Sequence, residues 1–487
     1  MERLIKTGVL SLEHAGTHRA ERIGVGFEKL DRGVFHPEKA YDPVGNLGVH
    51  WVRIQSGWAR TETEKGVYHF EWLDDIVDNL IARGTEPWIC LCYGNPLYSA
   101  HAAPIFGAVG CPPIETEEER EGWRNYVDAT VRHFAGRVRW FEIWNEPDMK
   151  YAWRHSWDVD THTPNAAEYG AFCVATAKVI RNANPEAKIM GLAVSHSYDL
   201  TYISTAFQQG MGDVIDAVTF HVYAIDDTLR PTFIRTLRAL VDQYNPKIAL
   251  IQGEAGAQTR GDGAGAMHSC AWDTAKQVKY LLRGTLHDLA GGVLFSSYFT
   301  TVDMIEAQFG KVGHVNTYLD YGYFGLLSAD FDENGVATGE YRPKPSFRTM
   351  QVLCEIFRGD FTSVDLPIRR TVKASRWVHD TDCTDRTVCM YGFRRPGGGA
   401  ALAYWNSTQI LSTTYAGTIS FEVAALDLTR VRLIDLADGS IYSIPEKMWV
   451  DKGNGCVELT NIPLTDSPLL LTFGDFLPAD ADIKEME

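Results

Sequence analysis

No apolar run in this 487-residue chain is long enough to span a bilayer, so nothing in it reads as a membrane protein. Clustered Lys and Arg are also missing. With 46 basic against 63 acidic residues the formal net charge is −17, which argues against nucleic acid as a partner and suits solubility. The first strand-like run is not followed by Gly-x-Gly-x-x-Gly. The run Gly261-Asp262-Gly263-Ala264-Gly265 is a mobile-loop candidate but lacks the Lys-Ser/Thr of a phosphate loop, so no nucleotide cofactor is expected. Cysteines are few, nine in all, odd in number and irregularly spaced. Cys90 and Cys92 lie two apart on an apolar run, which places them on one strand face as buried thiols. The first residues, Met1-Glu2-Arg3-Leu4-Ile5-Lys6, lack the apolar stretch of a secretion signal, and with the thiols this gives a cytoplasmic expectation.

Hydrophobic residues make up 45% of the chain and charged residues 22%, the balance of a globular protein with a sizeable core. The length fits one large domain plus a smaller one. Short apolar runs at 22–27, 49–54, 87–93, 138–144, 188–192, 217–223, 248–252 and 292–299 read as eight strands. Amphipathic stretches at 70–83, 116–134, 165–184, 200–210, 231–244 and 274–289 separate them, and Pro345 opens a last helix over 346–357. Such alternation predicts an α/β fold, a (β/α)8 TIM barrel over 21–357. Beyond 357 the period falls to two, with Gly, Asp, Asn and Pro between short strands, which predicts a β-sandwich accessory domain over 358–480. Arg395-Pro396-Gly397-Gly398-Gly399 suits a hairpin turn. The segment 1–20 is expected to add a strand to this domain, and 481–487 to be a frayed tail.

In a barrel of this kind the reactive groups sit where strands end at their C-terminal side, so polar residues closing apolar strands are the ones to collect. Arg53 closes the second strand, Asn145 and Glu146 the fourth, His221 and Tyr223 the sixth, Glu254 the seventh and Tyr298 the eighth. Pro147 has no N–H and stops the fourth strand beside Glu146. A carboxyl next to Trp144 is partly desolvated, which suits it to proton donation. Glu254, with Arg53 as cation and Tyr223 as phenolic donor, should stay ionised. Two such glutamates are what a retaining glycosidase requires, one as general acid/base and one as nucleophile. Glu142, four residues inward of Glu146, should instead pair with a cation such as Arg53. Trp58, Tyr93, Asn95 and Tyr98 lie in loops suited to sugar stacking or hydroxyl binding. The acidic run 115–121 reads as the solvated start of a helix. No His-x-His or carboxylate trio closes successive strands, so no metal is expected.

The run Trp144-Asn145-Glu146-Pro147, the His221-x-Tyr223 pair, the end Gln252-Gly253-Glu254 and the later Lys344-Pro345-Ser346-Phe347 resemble clan A glycoside hydrolases, most of all glycoside hydrolase family 39. The resemblance covers the barrel and extends to the sandwich. It implies that Glu146 is the acid/base, that Asn145 bonds the sugar 2-hydroxyl and that Glu254 is the nucleophile. The family's eighth-strand pattern is similar to Tyr298-Phe299-Thr300-Thr301-Val302-Asp303-Met304-Ile305-Glu306, which adds Phe299 and Glu306 to the substrate-binding candidates. Phe299 stands where the family has tryptophan, and Ala307 where it has a second acidic residue. The resulting expectation is an exo-acting retaining β-glycosidase, most like a β-xylosidase, acting on oligosaccharide or glycoside substrates without cofactor. The alternatives are another clan A specificity (arabinosidase, glucuronidase or endo-glycosidase) and, from a different class, a non-catalytic carbohydrate-binding protein. Homo-oligomer formation is left open.

Overall fold

The computed structural model describes residues 1–487 except 2, 3, 14, 157–163, 197, 373–386, 413, 486 and 487, and the side chain of 372. The first strand, β1 (Ile5–Leu10), lies outside the barrel. The barrel strands are β2 (Ala20–Gly26), β3 (Val49–Gln55), β4 (Glu86–Leu91), β5 (Trp140–Ile143), β6 (Lys188–Val194), β7 (Ala217–His221), β8 (Ala249–Ala255) and β9 (Ser296–Tyr298). Each pairs in parallel with the next, and β9 pairs back to β2, closing the barrel. All eight coincide with the sequence expectation to within a few residues. The largest differences are at β9, whose first expected residues lie in the approach to the strand, and at β8, which runs on to Ala255. The outer helices likewise match, for example Glu71–Ala82, Glu117–His133 and Thr274–Gly291. Thr116 and Glu119 form a reciprocal cap at the start of Glu117–His133, so the acidic run starts a helix as expected, although Glu119 is buried and not solvated. The short helix Tyr41–Leu47 was not anticipated. Its Pro43 and Gly45 mask the helical pattern.

Strand parity stacks the barrel interior in layers. Trp51, Trp88 and Trp140 form one buried cluster with Met190, Ala217, Ile251 and Phe295, and Trp51 stacks on Phe295 with centroids 4.4 Å apart. Two residues further along the same strands come Arg53, Cys90 and Glu142, all fully buried. Side chains two apart on a strand share a face, so the aromatic layer forms the floor of a polar layer and keeps it dry.

The C-terminal region is two facing sheets, one of eight strands and one of four. They share a core that includes Leu402, Tyr404, Leu433 and Leu471 from the larger sheet and Ile419, Phe421, Leu459 and Leu464 from the smaller. The Val388–Arg394 and Ala400–Asn406 strands form the hairpin around the glycine-rich turn. β1 pairs antiparallel with Ser440–Ser443, joining the N-terminal segment to this sheet. One expectation is corrected at the C-terminus. Residues Ile483–Glu485 form a strand on β1, which ties down backbone that composition alone marks as frayed. Residues 486 and 487 lie outside the described part.

Candidate active site

The C-terminal mouth of the barrel opens into a cavity of about 460 Å3. Every residue lining it falls between Glu28 and Phe324, so the described residues of the sandwich contribute nothing to it. Seven of the candidate site residues line it: Tyr93, Asn145, Glu146, Tyr223, Glu254, Phe299 and Glu306.

Glu146 follows β5 in a left-handed backbone conformation (φ 48°), as does Trp144 (φ 68°). Non-glycine residues avoid this region unless surrounding contacts hold them there. Those contacts are present, since Trp144 is fully buried and its Nε1 donates to the Ala152 carbonyl at 2.7 Å. Glu146 Oε1 meets His221 Nδ1 at 2.9 Å, and its Oε2 accepts a hydrogen bond from the Tyr151 hydroxyl.

Glu254 lies within β8, not beyond its end. The register of β8 shifts against β9 between Gln252 and Ala255, and β7 shifts against β8 at His221, which pairs with Glu254. Such irregularities re-aim side chains at barrel rims. Tyr223 Oη donates to Glu254 Oε1 at 2.6 Å, and Arg53 Nη1 donates to Oε2 at 2.7 Å. Burial alone would push the Glu254 carboxyl up. His221, Arg53 and the Tyr223 hydroxyl outweigh it and hold the group below the usual glutamate range. One oxygen each of Glu146 and Glu254 and one ring nitrogen of His221 lie within 4.8 Å of one another. The His221 imidazole is raised above its ordinary value, because Glu254 and Glu146 together overcome its burial.

Arg53 is fully buried and makes no wall of the cavity. It binds Glu142 through Nε and Nη2, Glu28 and Glu254 through Nη1, and the Asn145 Oδ1 through Nη2 at 2.8 Å. Glu142 is thus the ion-pair partner of Arg53 that its position in the strand suggested. Asn145 spends its carbonyl on Arg53 and keeps its amide N–H groups for another acceptor. His221 is likewise fully buried and acts on the two glutamates.

Three candidates lie elsewhere. Trp58 is completely buried and bonded to Glu62, Asn95 donates to the Glu62 carbonyl at 2.8 Å, and the Tyr98 hydroxyl donates to Glu62 Oε1 at 2.6 Å while its ring stacks on Trp58. Trp58, Asn95 and Tyr98 therefore build one packed cluster around a buried carboxylate instead of a sugar platform. Tyr298 is corrected too, for its hydroxyl is taken by the Ala257 carbonyl at 3.2 Å and its ring is buried. Conversely, sequence reasoning missed Glu28, Lys29, Tyr151 and Phe309, all of which line the cavity. Lys29 Nζ pairs with Glu306 Oε2 at 2.9 Å and lies 5.2 Å from the Phe299 ring centroid. Phe309 is 66% exposed at the mouth, where its ring meets Tyr151.

The site is thus a closed parallel barrel with two carboxylates converging at its C-terminal mouth, each held by its own donors. Residues 40–241 match the family described as Glycosyl hydrolases family 39, a stretch that contains Asn145, Glu146 and His221 and stops before Glu254. A β-xylosidase of Geobacillus stearothermophilus is 25% identical over 293 residues, 54% of this chain and 53% of that protein. One of Caldicellulosiruptor saccharolyticus is 24% identical over 340 residues, 63% of this chain and 62% of that protein. The chain thus spans little more than half the length of these relatives. A family 39 glycoside hydrolase from the gut symbiont Bacteroides cellulosilyticus WH2 superposes with a TM-score of 0.63 at 17% identity, covering 94% of this chain and 82% of that one. A monomeric β-xylosidase from Caulobacter crescentus CB15 gives 0.57 at 18%, covering 96% and 97%. At such identities these structures speak for the fold. Residues 40–241 thus resemble glycoside hydrolase family 39, and the solved structures share the fold.

Proposed function

We propose that the protein is a retaining, exo-acting β-glycosidase, most like a β-xylosidase, that hydrolyses short oligosaccharides by double displacement. The observation carrying this reading is the approach of Glu146 and Glu254 oxygens to within 4.8 Å. Retaining enzymes hold their carboxyl groups about 5–5.5 Å apart, whereas inverting enzymes leave roughly 6.5–9.5 Å for a water. In the first step Glu254 attacks the anomeric carbon while Glu146 gives its proton to the departing glycosidic oxygen. In the second, Glu146 takes a proton from water as that water displaces Glu254 from the sugar. The Asn145 amide donates to the 2-hydroxyl, in keeping with its carbonyl being held by Arg53. A cavity of about 460 Å3 is of small-ligand size, which supports action on short oligosaccharides.

The second reading is a glucuronidase, favoured by Lys29 and Arg32 in the cavity wall. Both cations already have partners, Glu306 for Lys29 and Asp31 with Gln55 for Arg32, which is why it ranks second. The eight described cysteines are free, five of them buried, which supports a reducing compartment. Among the described residues no helix is long and apolar enough to cross a membrane. A panel of nitrophenyl glycosides, with proton NMR of the first-formed sugar, tests the proposal. Turnover of a β-xyloside with retained configuration is expected; inversion, or turnover of glucuronides alone, contradicts it.

A further inference from the structure

The charge around Arg53 does not balance. One guanidinium, fully buried, faces three carboxylates: Glu142 on Nε and Nη2, and both Glu254 at 2.7 Å and Glu28 at 3.1 Å on the same nitrogen, Nη1. Glu28 follows β2, is 1% exposed, and its Oε2 is buried without a hydrogen-bond partner. The carboxyl is also pressed against Gly26, where a Cβ would stand 2.5 Å from Oε2. An anion there would be desolvated, would have one unsatisfied oxygen, and would share with Glu254 the charge of one guanidinium nitrogen.

We propose that Glu28 is a positioning residue for the nucleophile: carried as a neutral acid it leaves the Arg53 charge to serve Glu254, and on losing its proton it divides that charge and adds a second negative group beside the attacking carboxylate. The inference rests on Glu254 being the nucleophile. The groups facing Glu28 are Arg53 from β3, Glu254 from β8 and its own neighbour Lys29, with Glu142 reached through Arg53 and Glu306 through Lys29. Burial and the Glu254 charge outweigh Arg53 and Lys29 and push the Glu28 carboxyl up to about 8. Glu28 is therefore neutral near neutral pH and ionises just above it.

The test is the pH dependence of kcat/KM for 2,4-dinitrophenyl β-xyloside, a substrate whose leaving group needs no proton from Glu146. In the wild type kcat/KM should decline above the Glu28 ionisation, near pH 8. In Glu28→Gln, a neutral isostere, the plateau should stay within roughly tenfold of the wild type, the worth of about one hydrogen bond, and the decline near pH 8 should vanish. Glu28→Met, neutral and similar in volume, should lose the same decline and serves if the amide variant fails to fold. An alkaline limb identical in wild type and in either variant overturns the inference while leaving the proposed function standing. Absence of turnover in the wild type on any aryl glycoside overturns both.

Discussion

Arg53 Nη1 donates to Glu254 Oε2 at 2.7 Å from a position with no solvent exposure. A cation fixed in a dry site stabilises the ionised carboxylate more strongly than one in water and does not reorganise during reaction. Replacing Arg53 by Lys keeps a charge but cannot reach Glu28, Glu142, Asn145 and Glu254 together. The expected outcome is a loss of roughly 10²–10³ in kcat/KM, the scale of removing one preorganised donor, with the acid limb of the pH profile moved upward. Steady-state kinetics from acid to neutral pH checks this.

Tyr223→Phe removes only the other donor to Glu254. A hydrogen bond to a charged group is worth about 1.5–3 kcal/mol, so kcat/KM should fall by at least tenfold and the acid limb should again move upward, because this hydroxyl helps hold the Glu254 carboxyl low. An unchanged acid limb would mean that the phenol does not act on the nucleophile.

Glu28 also links stability to pH. Its carboxyl is raised from the ordinary 4.5 to about 8 in the folded chain. The folded state therefore holds this proton more tightly than the unfolded state. The contribution is fully present below about 4.5 and is lost as pH rises through about 8. Thermal melts near those two values should show the wild type losing more of its Tm at the alkaline end than Glu28→Gln does. Equal losses would contradict the assignment.

Asn95 separates structure from sequence. Its amide is spent within the Glu62 cluster, away from the cavity. Asn95→Ala should cost about 1–3 kcal/mol of stability by leaving a buried acceptor unpaired, measured by denaturant unfolding, and should leave KM where it was.

The barrel was legible because each strand is a short apolar run with turn signals on both sides, and because Glu146 and Glu254 terminate or nearly terminate such runs. The strand-end rule would also have reached Glu28, which directly follows the expected strand 22–27 and lies two residues beyond the observed end at Gly26. Loop residues were less legible. Trp58, Asn95 and Tyr98 have sugar-binding chemistry, yet Glu62, itself fully buried, gathers all three into the core. Nothing in local pattern announces a buried acceptor as far as 36 residues from its donor. Tyr151 was invisible for a similar reason, since only the folded path of the loop after Glu146 brings its hydroxyl to that carboxylate.

The central claim is that Glu254 attacks the sugar and Glu146 handles the proton. It is tested most directly by Glu254→Gly supplied with azide and an activated β-xyloside. The variant should be inactive alone and should regain turnover with azide, giving the α-xylosyl azide, because the anion enters through the space the carboxylate left. No rescue, or a β-xylosyl azide, would contradict the account.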